Sequence, residues 1–110
     1  MNRKKREALQ INNSIIDSEA SVFELNTSIE LDQQLSEIKK LSSQITTDED
    51  IVELRKEVLF TANSQLRNGV ITSSAYITEL TNLYEAQTEL RTHRIQLELA
   101  KSMYNVIKGN

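Results

Sequence analysis

The chain has no cysteine, no proline and no tryptophan, and only two glycines in 110 residues. Without cysteine there is no disulfide and no thiolate metal site. Without proline nothing forces a helix to break, and with so little glycine few positions are free to turn. Aromatic residues make up only 5% of the chain, poor material for a compact globular core. Long apolar runs are missing too: none approaches the about 18 residues of a membrane-crossing helix. The opening residues, MNRKKREALQINNS, have neither the apolar stretch nor the cleavage pattern of a signal peptide. A net charge of −3, with 26% charged residues, gives a solvated surface without a strong field of one sign. The length suits one domain at most.

What the sequence does contain is periodicity. Leu31, Ile38, Ile45, Val52, Leu59 and Leu66 recur every seven residues, and Tyr76, Leu83, Leu90, Leu97 and Tyr104 do the same. Such spacing keeps one side of a helix against a partner. The two series mirror each other about Ile71. Folding there sets Leu66 against Tyr76, Leu59 against Leu83, Val52 against Leu90, Ile45 against Leu97 and Ile38 against Tyr104. The pattern therefore predicts an all-α fold, a long antiparallel helical hairpin whose first helix is about twice as long as its second. One domain would span residues 1–110, with a helix over about 3–68, a turn at 69–72 and a helix over about 73–108. At 1.5 Å per residue the helices would be roughly 100 Å and roughly 54 Å long.

The turn has its own chemistry. Gly69, after Asn68, suits the left-handed residue that ends a helix. Thr72 can cap the next helix, which places Ile71 and Tyr76 at the two positions of a hydrophobic staple. Gly109 punctuates the other end. Thr46 and Glu49 resemble a capping box, but the unbroken Ile38–Ile45–Val52 step argues for one continuous helix with at most a mild irregularity near Thr47. At the start, Arg3, Lys4, Lys5 and Arg6 occupy a helix end that normally favours acids, with Asn2 the candidate cap. This reads as a helix entered partway along. No basic stripe or aromatic platform follows, so nucleic acid is not an expected partner.

Each helix also carries a second apolar stripe. In the first it includes Ile51, Leu54 and Val58; in the second, Ile77, Tyr84, Ile95, Leu99 and Val106. Two stripes call for two neighbours, and a lone hairpin supplies one. Residues 1–35 are expected to overhang without a partner in the chain, with Leu9, Ile16 and Phe23 on one line and Ile15, Val22 and Ile29 on another. Exposing such side chains forfeits about 1.5–3 kcal/mol each, which favours self-association or further helices.

Catalytic chemistry is not visible. His93 is the only histidine. Glu89 lies four residues before it, not at the Glu-x-x-His spacing of di-iron bundles, and no second copy of the motif exists. His93 therefore reads as structural or surface-exposed. Glu49, Asp50, Glu53 and Glu57, beside Arg55 and Lys56, read as a solvated helix face. Asn68-Gly69 lacks the further glycines and Lys-Ser/Thr of a phosphate loop. No catalytic residue, cofactor or metal is expected, and the chain reads as a non-enzyme.

The stretch from Leu66 to Asn110 resembles the C-terminal part of TolC-like outer-membrane efflux proteins. The residues that carry the likeness are Asn68-Gly69-Val70-Ile71-Thr72, Tyr76, Leu80, Ala86-Gln87, Leu90, His93, Ile95-Gln96-Leu97, Ala100, Tyr104 and Gly109-Asn110. The TTDEDIVELRKEV segment from Thr46 fits the same family's long helix, whereas residues 1–45 agree mainly in helical composition. The resemblance implies a trimeric export duct, with a β-barrel in the outer membrane and a helical tunnel through the periplasm. This chain would be a periplasmic tunnel segment of a passive conduit. The hairpin tip, Asn68, Gly69, Val70, Ile71, Thr72 and Ser73, would dock the periplasmic adaptor protein of an inner-membrane pump. Ala75 departs from the acid often found there in the family, which removes a favourable first-turn charge. The alternative reading is a free-standing cytoplasmic coiled-coil interaction or scaffold protein.

Overall fold

A computed structural model describes residues 2–109. Two helices account for nearly all of it, α1 (Arg3–Arg67) and α2 (Ser73–Lys108), and no strand occurs among the described residues. They pack side by side as an antiparallel hairpin measuring 98 × 19 × 17 Å. The first helix has 65 residues and the second 36, so α1 runs well past the end of α2. Asn110, the last residue of the tail that carries the family resemblance, lies outside the described residues.

Each helix end is closed by the residue its chemistry requires. Asn2 accepts from the Lys5 amide at 3.0 Å through its side chain, and Thr72 accepts from the Ala75 amide at 3.1 Å. Between the helices, Gly69 takes φ +71°. Its amide bonds the Leu66 carbonyl at 3.1 Å while the Val70 amide bonds the Gln65 carbonyl at 2.8 Å. This is the paired closure of a Schellman motif, and it satisfies carbonyls that the last turn would otherwise leave open. Ile71 and Tyr76 are both half-buried, as the staple positions require.

The Thr46 segment is not a helix start. α1 runs through it uninterrupted, and the Thr46 hydroxyl donates backward to the Ser42 carbonyl at 3.2 Å.

All five apolar pairs read from the sequence lie in the seam. Val52, Leu83 and Leu90 form the buried cluster, with Ile45 and Leu59 packed against it. Leu66, Tyr76, Leu97, Ile38 and Tyr104 are half-buried along the same line. A second row runs beside the first, offset by three residues. In α1 it is Gln34, Leu41, Asp48, Arg55 and Ala62; in α2, Glu79, Ala86, His93, Ala100 and Ile107, all buried or half-buried. The two rows together make the paired seam that a helical hairpin needs. The second row matches large residues to small: by position Leu41 meets Ala100, and Arg55 meets Ala86. That complementarity lets the helices approach closely at those layers.

Candidate functional site

Polar chemistry in the seam converges at one level. The His93 ring donates from Nδ1 to Asp48 Oδ2 at 2.5 Å, a charge-assisted bond between side chains only 15% and 10% exposed. On the other side of the ring, Nε2 lies 3.5 Å from Glu89 Oε1. One residue further along each helix, Arg94 reaches Glu49 across the hairpin at 3.4 Å. Nearer the tip, Arg55 lies 3.9 Å from Glu79, whose Oε2 is buried without a hydrogen-bond partner. Among the described residues three polar pairs therefore cross between the helices, His93–Asp48, Arg94–Glu49 and Arg55–Glu79, all on the second row or its edge.

This layer is arranged to hold the helices together. A carboxylate stands at each ring nitrogen of His93, so neither faces a hydroxyl nucleophile. Because Asp48 and Glu89 sit on opposite edges of the ring, they do not share a point where a cation could bind. Among the described residues no group of three or more His, Asp or Glu is placed to hold a metal ion. The flanking seam residues Ile45, Val52, Leu90 and Leu97 are apolar, and each is buried or half-buried. Asp48 was hidden in the sequence by the acidic strip that follows it. Glu49, Asp50, Glu53 and Glu57 are indeed exposed, but Asp48 is 7% exposed and Arg55 is turned into the seam.

The tip residues named from the sequence are brought together in one exposed loop. Asn68, Gly69, Val70, Thr72 and Ser73 are exposed, Val70 by 68%, whereas Ile71 is half-buried. Just above it, Ile71, Ala75 and Glu79 of one side face Leu54, Val58 and Ala62 of the other across a shallow groove. An exposed valine beside an apolar groove is a surface that a partner can cover.

Larger still is the apolar surface along the flanks. Ile51, Leu54, Ile77, Tyr84, Ile95, Leu99 and Val106 are 42–72% exposed; Val58, placed on the same stripe by the sequence, is instead half-buried, because it lies at the groove between the helices. In the overhang, Leu9, Ile16 and Phe23, and Ile15, Val22 and Ile29, are 46–71% exposed. No residue of α1 before Thr27 is even half-buried.

The overhang does not extend the hairpin seam. Continued toward the N-terminus in steps of seven, the first seam row becomes Glu24, Asp17, Gln10 and Arg3. The apolar row of the overhang is instead Ala8, Ile15, Val22 and Ile29, which continues into the hairpin as Ser36, Ser43, Asp50, Glu57 and Ser64. The two rows are five positions apart, about 140° around the helix. α1 thus changes its apolar face near residue 30, close to the level where α2 ends.

No helix among the described residues is long and apolar enough to cross a membrane. No protein-family model matches the chain, and no curated protein is similar to it. The likeness to outer-membrane efflux proteins rests on the residues quoted for it above.

Proposed function

We propose that the chain is a non-catalytic helical assembly element, the tunnel-wall hairpin of a TolC-like export duct. The observation that carries this reading is the apolar surface on the flanks of both helices, which suits a helix held between neighbours on two sides. Leaving those side chains in water forfeits about 1.5–3 kcal/mol each, so their burial against further helices is strongly favoured. The resemblance over residues 46–110 supplies the specific identity of the assembly. In it the hairpin would stand in the periplasm, in a homotrimer, and Val70 and Ile71 at the tip would meet the adaptor of an inner-membrane pump.

The test is made in the native cell. A photocrosslinking residue at Val70 should capture a periplasmic adaptor, and Ile71→Glu should abolish both capture and export of the transported dye or drug. Cell fractionation should place the protein with the outer membrane and periplasm. Recovery in the cytosol, or export undiminished by Ile71→Glu, overturns the duct. The second reading is a free-standing cytoplasmic scaffold, and one observation favours it: the charges of the overhang complement a second copy of themselves.

A further inference from the structure

The overhang carries a complete coiled-coil seam of its own. Ala8, Ile15, Val22 and Ile29 form one row, and Lys4, Ile11, Ser18, Leu25 and Asp32 form the other, three residues further on. Between Ala8 and Ile29 the rows alternate in steps of three and four, the spacing that holds one face against a second helix. Ile11, Ile15, Val22, Leu25 and Ile29 are 46–63% exposed, and α2 does not reach them. The second row ends in opposite charges, Lys4 at one end and Asp32 at the other.

We infer that the occupant of this face is the same face of a second copy, running antiparallel. The charges decide the direction. Arg3, Lys4, Lys5 and Arg6 form a purely basic end. Between Glu24 and Glu37 the ionisable residues are Glu24, Glu30, Asp32 and Glu37, with no lysine or arginine among them. A parallel pair would set the two basic ends side by side and the two acidic segments side by side. An antiparallel pair sets each basic end against the other copy's acidic segment. A two-fold axis at the level of residue 20 then places Ile11 opposite Ile29, Ile15 opposite Leu25, and Ser18 opposite Val22. In the same register Asp32 faces Ala8, within one turn of Lys4 and Lys5. The contact ends at both sides where the rows become charged, and Leu9, Ile16 and Phe23 lie on its flank, outside the two rows. The result is an end-to-end dimer with the two hairpins projecting in opposite directions. It accords with the free-standing scaffold and competes with the duct, whose trimer would set its hairpins pointing one way; loss of the dimer would overturn this contact while leaving the adaptor-capture test of the duct untouched.

The absence of cysteine makes the arrangement directly testable. The purified chain should sediment as a dimer at tens of micromolar. Chains carrying Ile11→Cys and chains carrying Ile29→Cys should form a disulfide when mixed under mild oxidation, and neither should crosslink efficiently alone. Val22→Asp should release monomers and lower the helix content of the overhang, while the main unfolding transition of the hairpin stays in place. A monomer at about 100 micromolar overturns the proposal, as does a trimer. Efficient self-crosslinking of either single-cysteine chain shows a parallel pair and overturns it too. A dimer that survives Val22→Asp places the contact on the hairpin flanks and has the same consequence.

Discussion

Replacing Asp48 with leucine while His93 remains in place removes the acceptor from the half-buried imidazole. A hydrogen bond to a charged group contributes about 1.5–3 kcal/mol, and the stranded donor keeps its desolvation cost. Leucine also brings bulk opposite a ring, where the same row elsewhere sets Leu41 opposite Ala100; overpacking of this kind adds about 1–3 kcal/mol. Allowing for partial relaxation, Asp48→Leu should destabilise the hairpin by about 2–4 kcal/mol. For a chain of this size each kcal/mol moves the melting point by roughly 4 °C, giving a drop of roughly 8–16 °C. Adding His93→Ala recreates the Leu41–Ala100 layer one heptad away, in which both residues are buried at 2% and 6% exposure. The double variant should regain the native midpoint or exceed it, since a buried polar pair replaced on both sides by well-packed apolar groups is often neutral or stabilising. Far-UV circular dichroism melts of the two single variants, the double variant and the parent, at one protein concentration, give the coupling energy directly. If Asp48→Leu melts with the parent, or if the two single effects simply add, the polar layer does not pair as described.

Val52 is 6% exposed at the centre of the buried cluster, so Val52→Asp should lower the unfolding free energy read from urea titration by several kcal/mol. Glu53→Gln next to it loses only an exposed contact with Lys56 at 3.5 Å and should shift stability by under about 0.5 kcal/mol. Gly69→Ala finds open space around the new methyl group but must hold φ +71°, so a loss of about 1 kcal/mol is expected in denaturant titration, and a larger one for Gly69→Val. Thr72→Ala should cost about 1 kcal/mol by removing the acceptor for the Ala75 amide, with Thr72→Ser close to the parent in the same titration.

The apolar row and the turn were legible because their chemistry is unambiguous. A leucine or isoleucine every seven residues has few roles outside a helical seam, and a lone glycine after asparagine marks a left-handed helix end. The second row was illegible for the opposite reason. Its members are alanine, aspartate, arginine, glutamate and histidine as often as leucine, and each such residue taken singly belongs on a solvated surface. Asp48 in particular stood at the head of an acidic strip whose other members are exposed. The signal was positional: every member of the second row follows a member of the first by three residues, in both helices. A paired search at that offset would have brought Asp48 across from His93. The tip residues were likewise found by chemistry, whereas their docking role comes only from the resemblance. Helix geometry cannot supply it, because a well-capped turn looks the same whether or not a partner covers it.

The division of α1 into two faces has a consequence for the uniqueness of the fold. Heptad rows of leucine and isoleucine are nearly self-similar, so a hairpin sealed by them alone could slip by seven residues at little cost. Slipping one way sets Asp48 against Ala86 and His93 against Leu41; slipping the other sets Asp48 against Ala100 and His93 against Arg55. Either way a carboxylate and an imidazole are buried without each other, and breaking such a pair costs about 3–5 kcal/mol. The far end adds a second stop. Beyond Leu31 the seam row reads Glu24, Asp17, Gln10 and Arg3, so a slip of seven toward the overhang exchanges Leu66 for Leu31 and any further slip meets charged residues. The polar layer and the change of face thus define one alignment from two independent positions. The same change of face leaves the apolar row of the first third of α1 exposed and open to a different partner. A single straight helix can in this way serve two neighbours at two levels, with neither competing for the other's surface.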